Sequence, residues 1–231
     1  MYGKVLASLY NREFGEKALE EWRRGICRLL QAEKIVTGTV LDLGAGTGLG
    51  AKALQEIGDF KCIGLEMSVD MALEIPLGLY QKIVIGDMRH WWTDETVPNI
   101  LVGGFDTLNY LSRSDFVTFI ENCPRHMSSG YLCFDVLNEV PVNWTSNRFL
   151  GQIDCSDIFI KHVVNVNGLL ETRIRVQKDE AICKTIGIAI QHIFPHEFVV
   201  ATLSYTGLSL IRTQKFYTEN GVTKTAYLVA M

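Results

Sequence analysis

Four carboxylates fall where an open α/β sheet would present them to a ligand. The run Val40-Leu41-Asp42-Leu43-Gly44-Ala45-Gly46-Thr47-Gly48 sets glycines directly behind an apolar stretch that carries Asp42. Glu66 closes a second apolar run (KCIGLE), Asp87 follows a third in Gly86-Asp87-Met88-Arg89, and Asp106 follows a fourth in Gly104-Phe105-Asp106-Thr107-Leu108-Asn109-Tyr110-Leu111. Glycines at a strand-to-helix turn let the chain bend sharply and approach a ligand closely. Acids recurring at the carboxyl ends of consecutive strands mark the edge where such sheets bind ligands.

Two chemistries compete for this constellation. Gly46-x-Gly48-x-x-Ala51 satisfies the dinucleotide spacing, and Glu66 lies 20 residues beyond Gly46, where a ribose-binding acid is expected. A nicotinamide-dependent oxidoreductase is therefore one reading; it predicts NAD binding and a proton relay such as Tyr-x-x-x-Lys, a spacing the sequence lacks. Asp42, two residues before Gly44, argues the other way. A pyrophosphate is repelled by a carboxylate at that place, whereas a ligand carrying an ammonium and a sulfonium is attracted.

The elements that must position these residues follow from hydrophobic period and punctuation. Residues 12–34 carry an amphipathic helical pattern, with Gly38 as a stop. Strands are expected at 39–43, 61–66, 82–85, 99–102 and 131–137, and helices at 47–57 and 113–127, with a short helical stretch opened by Ser68 and closed before Pro76. Strands separated by helices imply right-handed crossovers and a parallel sheet covered on both faces. After Asn138 the pattern changes to β-rich segments at 158–166, 169–177 and 181–190, the first two joined by the hairpin signal Asn167-Gly168. A helix at 195–206 and strands at 208–216 and 223–229, parted by Glu219-Asn220-Gly221, complete the chain.

Composition narrows the partners. The chain has 231 residues, 48% hydrophobic and 21% charged, which suits one large domain or one domain carrying an insertion and excludes disorder and coiled coil. A net charge of −4 argues against a nucleic-acid partner, since phosphate contacts need clustered Lys and Arg. The six cysteines lack C-x2-C spacing, and His192 and His196 are parted by Pro195, so no metal site is expected. The N-terminal stretch is charged too early for a signal peptide, and no run approaches the apolar length of a membrane span. A reducing cytoplasm is the expected compartment.

VLDLGAGTG, the acid ending the second strand and GDM after the third resemble the class I S-adenosylmethionine-dependent methyltransferases. D-T-L-N-Y-L resembles a small-molecule branch that carries D-[ST]-x-N-Y-L there, a strand-five signature similar to Phe134-Asp135-Val136, and a β insertion before the last helix. The resemblance covers residues 10–137 in its motifs. It departs at Pro98-Asn99, where the family begins its fourth strand with Phe-Asp or Tyr-Asp. It implies an α/β fold: a seven-stranded, mostly parallel Rossmann-like sheet in the order 3-2-1-4-5-7-6, with the last strand antiparallel. Within a single domain, 1–231, residues 1–35 would form a helical cap and 150–192 a β-rich insertion or lid.

Carried over, the resemblance implies that Asp42 and Gly44 hold the methionine amino end of S-adenosyl-L-methionine, with Ala45 in the loop and Gly46 allowing close approach. Glu66 would take the ribose hydroxyls and Met67 pack on adenine. Asp87 would accept from the adenine amino group with Met88 beside it. Phe105, Asp106 and Thr107 would lie near the reactive methyl, and Tyr10 would cover the site. His90-Trp91-Trp92 would wall the adenine side or anchor the loop, and Asn109-Tyr110 would cap the next helix or touch substrate.

Methyl transfer is a direct displacement that needs alignment and exclusion of water, and a base only where the acceptor is protonated. Base candidates are Asp106, His90, Asp135 and, from the insertion, His162; Asp135 and Asn138 are expected to face the acceptor with Trp144. The insertion either roofs the cavity or builds a homodimer interface. The acceptor is expected to be a small molecule methylated at N or O. Nucleic-acid methylation is disfavoured because the Asp/Asn-Pro-Pro-Tyr signature is missing. Other readings are intramolecular cyclisation of the cofactor, which releases methylthioadenosine, and a ligand-binding protein without turnover.

Overall fold

The computed structural model describes residues 3–91, 98–141, 144–153, 155–165, 168–178, 182–217 and 221–231. Its centre is a seven-stranded sheet. Strands β1 (Thr37–Leu43), β2 (Asp59–Glu66), β3 (Lys82–Ile85), β4 (Ile100–Gly103) and β5 (Tyr131–Glu139) are joined to β10 (Ser209–Tyr217) and β11 (Thr223–Ala230) in the order β10-β11-β5-β4-β1-β2-β3. Pairs from β5 to β3 are parallel, and β11 is antiparallel to both β5 and β10. This is the expected order, with the last strand reversed. Asn99, the departure at the start of β4, accepts the Thr39 backbone N–H at 2.7 Å and ties β4 to β1.

Alternation along the parallel strands sorts side chains between two helical layers. Leu41, Leu43 and Leu101 face α5 (Arg113–His126) and α6 (His196–Tyr205), meeting Phe116, Phe119, Val199 and Leu203. Val40, Ile100 and Val102 face the other way, onto Leu19, Trp22, Ile26 and Leu30 of the N-terminal helices and Ala51 and Leu54 of α3 (Leu49–Gln55). Ser112 caps α5 by accepting the Asp115 N–H at 3.0 Å, so Asn109 is not the cap.

The N-terminal rod differs from expectation. Helix α1 (Lys4–Trp22) starts well before residue 12 and passes through a π-helical turn (Arg23–Cys27) into α2 (Arg28–Ala32), ending before Gly38. Its first turns lack a side-chain cap, and tertiary packing holds them: Leu6 and Leu9 are buried against Leu150, Ile158, Ile160 and Ile174. Those residues belong to a second, antiparallel sheet formed by β6 (Thr145–Ile153), β7 (Ser156–Val164), β8 (Leu169–Lys178) and β9 (Ile182–His192). The inserted sheet thus begins at 145, not 150. Strand β6 escapes sequence reading because only Leu150 is fully buried and its register shifts between Phe149 and Gly151. The turn residues Asn167, Glu219 and Asn220, and Trp92, lie outside the described residues. Among the described residues no helix is long and apolar enough to cross a membrane.

Candidate functional site

A cavity of about 450 Å³ opens between the carboxyl edge of the sheet, α1 and the inserted sheet. One half is built on β1, β2 and β3. The backbone N–H groups of Gly44 and Ala45 donate to the Leu65 carbonyl at 2.8 and 3.0 Å, folding the glycine loop over the end of β2. Gly44 and Gly46 sit at φ +70° and +58°, the left-handed region that glycine enters without penalty. The Glu66 carboxylate accepts the Gly46 N–H at 2.8 Å and the Ser68 N–H at 2.7 Å, one on each oxygen. Ser68 in turn caps the short helix α4 (Val69–Ala72). Asp87 is clasped by Arg89 at 2.5 Å, and that ion pair holds its carboxyl below the usual carboxylate range.

The other half gathers charge from distant parts of the chain. Phe105 and Asp106 both sit at φ +54°, a costly conformation for side-chain-bearing residues. The Asp106 carboxylate accepts from Gln191 and from the Lys224 ammonium, which also reaches Glu21 at 2.5 Å and lies 4.6 Å from the centre of the Phe105 ring. Burial opposes the Lys224 charge, but Asp106, Glu21 and Asp135 outweigh it and hold the ammonium above its ordinary value. From the inserted sheet, His162 Nδ1 and the Thr172 hydroxyl are hydrogen bonded at 2.8 Å, with the Trp144 ring 5.7 Å from the imidazole. Burial pushes His162 down to about 4, so its imidazole is neutral at neutral pH.

The cavity wall brings together Tyr10, Gly44, Ala45, Gly46, Glu66, Met67, Asp87, Met88, Phe105, Asp106 and Thr107, together with Tyr110, Trp144 and His162. Four expected residues stand off it. Asp42 shares the Val40 face of β1 and is buried under α3, where Tyr80 donates to it at 2.5 Å; burial pushes it up to about 7. A Cβ on Gly50 of α3 would stand 2.6 Å from its carboxylate, so the helix covers it. His90 is exposed on a short 3-10 turn (Met88–His90), away from the cavity. Asp135 is buried behind the Phe105–Asp106 loop and accepts both of its N–H groups, at 3.1 and 2.5 Å. Asn138 is turned inward to the Phe194 carbonyl at 2.8 Å.

Asn109 is also structural. Its side chain accepts from the Leu137 N–H and donates to the His192 carbonyl, stitching β5 to the end of β9. Trp91 is buried in the sheet core, which is the anchoring reading of that aromatic run. Sequence reasoning missed Glu21, Trp22, Thr172, Gln191 and Lys224 on the wall. Lys224 left a trace, a cation inside an otherwise buried strand. The others left none.

No protein-family profile matches the chain, and no curated protein sequence matches it. Solved structures do. An S-adenosylmethionine-dependent methyltransferase from Clostridium acetobutylicum ATCC 824 aligns over 98% of both chains at 16% identity and a TM-score of 0.72. The sugar N-methyltransferase KedS8 from Streptoalloteichus sp ATCC 53650 aligns over 98% of this chain and 95% of its own, at 16% identity and a TM-score of 0.68. CalS10, an amino pentose methyltransferase from Micromonospora echinaspora, aligns over 98% of both chains at 16% identity and a TM-score of 0.66. The likeness is one of fold: this chain has the Rossmann-like methyltransferase fold, with an antiparallel inserted sheet.

Proposed function

We propose that the protein is a methyltransferase that uses S-adenosyl-L-methionine to methylate a nitrogen or oxygen of a small molecule. The observation that carries this reading is the Glu66 carboxylate on the cavity wall, facing the glycine loop at the end of β2. Its two oxygens are arranged to engage a pair of neighbouring hydroxyls as readily as the two N–H groups they now accept. The fold supports the reading, as do the names of the sugar-amine enzymes that share it. The reversed β11 separates this sheet from the all-parallel dinucleotide fold.

The residues fit the cofactor. Nothing stands nearer than 3.8 Å to a Cβ built on Gly46, leaving room over the loop for a ligand's backbone-close approach. Glu66 would hold the ribose hydroxyls, Met67 and Met88 flank the base, Asp87 accept from its amino group, and Tyr10 cover the site. When bound, the cofactor supplies a methyl group activated by a sulfonium. Phe105, Asp106 and Thr107 line the acceptor approach, while the inserted sheet and the N-terminal helix roof the cavity and exclude water. Asp42 acts from beneath, shaping the loop. Residues 1–231 form one methyltransferase domain in this reading, with the inserted sheet as its lid.

The test is a calorimetric titration of S-adenosylhomocysteine into wild type and Glu66→Ala. Binding to wild type that weakens at least tenfold in the variant is expected. No binding to wild type, or equal binding to both, overturns the cofactor assignment. Release of S-adenosylhomocysteine rather than methylthioadenosine during turnover separates methyl transfer from cyclisation.

A further inference from the structure

Resting on that reading, we infer that Lys224 sets the acceptor class: by offsetting, together with Lys17, the charges of Glu21 and Asp106, it makes the transfer end of the cavity a place for an uncharged amine or hydroxyl. The geometry is a built one. The ammonium is almost fully buried, bonded to both carboxylates, and seated over the face of Phe105. Asp106 is further occupied by Gln191, and the neutral His162 and Thr172 stand on the facing sheet. Among the described residues, the remaining charges facing this end are Lys17, 4.0 Å from Glu21, and Asp135 behind the loop. Apolar surface from Ile160, Leu170, Ile188 and Ile190 completes the chamber.

The chemistry follows from the lone pair. An ammonium ion has none to attack with, so an amine acceptor must arrive or become neutral before transfer. A free carboxylate within about 4–6 Å raises an amine's pKa by about 1–3 units. Glu21 and Asp106 without Lys224 would therefore hold an amine acceptor in its unreactive form. With Lys224 between them and Lys17 beside Glu21, two cations face two carboxylates and the net field is small, and Asp106 retains hydrogen-bonding capacity for orienting an N–H or O–H. Lys224 is in this sense a specificity-determining residue that acts through Asp106.

The field can be read without knowing the acceptor. Sinefungin carries a protonated amine on carbon where S-adenosyl-L-methionine carries its methylated sulfonium, whereas S-adenosylhomocysteine is uncharged there. The ratio of their affinities, measured calorimetrically at pH 7.5, reports the electrostatics of the transfer end. Lys224→Met is expected to favour sinefungin over S-adenosylhomocysteine by about tenfold relative to wild type. Glu21→Gln should move the ratio the opposite way, and Lys224→Arg should restore the wild-type ratio. A purely structural role would weaken both ligands together. An unchanged ratio in Glu21→Gln, or in a folded Lys224→Met that still binds S-adenosylhomocysteine, overturns the inference. Should Lys224→Met fail to fold, Glu21→Gln decides alone. Failure of wild type to bind S-adenosylhomocysteine would instead overturn the cofactor reading, so the two failures are distinguishable.

Discussion

Asp135 accepts the backbone N–H of Asp106 at 2.5 Å from behind the cavity wall, and the neighbouring N–H of Phe105 at 3.1 Å. The second sheet strand away from β1 therefore holds, by its carboxylate, two consecutive left-handed residues that would otherwise relax. Through that loop the side chains of Phe105 and Asp106 reach the cavity.

Asp135→Asn should lose one of these two bonds and set an amide donor against a main-chain donor. We expect a loss of about 1–3 kcal/mol in urea unfolding at pH 8, together with weaker S-adenosylhomocysteine binding. His90→Ala, on the exposed turn, should leave both unchanged within about 0.5 kcal/mol. Equal effects from the two substitutions would contradict the placement of either residue.

Gly44→Ala and Gly46→Ala should separate folding from binding. A Cβ on Gly44 would stand 2.6 Å from Thr107 Cγ2, whereas one on Gly46 meets nothing within 3.8 Å. Both pay about 1–2 kcal/mol for the left-handed backbone. Gly44→Ala should unfold at clearly lower denaturant than Gly46→Ala. The latter should stay folded and bind S-adenosylhomocysteine at least tenfold more weakly, as calorimetry would show.

Asp42 supplies a pH dependence. Its folded pKa, pushed up to about 7 by burial against the Tyr80 hydrogen bond, lies above the ordinary 3.8. Between these values the folded chain holds a proton that the unfolded chain releases, so stability from this group falls as pH rises from about 4 to about 7 and is level above. Asp42→Asn should remove that slope. Its stability relative to wild type should rise across the same window, measured by urea midpoints at pH 4.5, 6 and 8.

His162 acts with the opposite sign. Burial lowers its folded pKa to about 4, from an ordinary 6.5, so the unfolded chain takes up a proton that the folded chain refuses. Stability from this group is present above pH 6.5 and is lost as pH falls toward 4. Because this window lies within that of Asp42 and has the opposite sign, His162→Gln should gain stability relative to wild type as pH falls from about 6.5 to about 4, measured by urea midpoints. A variant whose stability relative to wild type is the same at every pH would show that the imidazole titrates alike in the folded and unfolded chain.

The parts of the molecule legible in the sequence are those whose signal is local. Strand β3 spans the expected 82–85, and α5 begins at Arg113 behind its Ser112 cap. The acids Glu66, Asp87 and Asp106 reach one cavity because strand ends and their turns share a sheet edge. Strand β6 and the first turns of α1 were illegible, because each is held by the other's partners across the inserted sheet rather than by its own period.

By itself, the sequence determined the strand–helix alternation of a parallel sheet, the glycine loop and the acids at the strand ends, since period, turn chemistry and handed crossovers leave few alternatives; the strand order came only with the family resemblance. Only the tertiary structure decided which acids face the cavity. Asp42 and Asp135 carry the same chemistry as Asp106, but alternation and helix packing turn them inward, where burial is set by what covers a residue and not by its type. It also decided the charge at the end of the cavity where Asp106 stands. Lys224 meets Glu21 across 203 residues and Asp106 across 118, a meeting made by threading β11 between β10 and β5. No pattern along the chain encodes that contact, because an ion pair depends on distance in space alone.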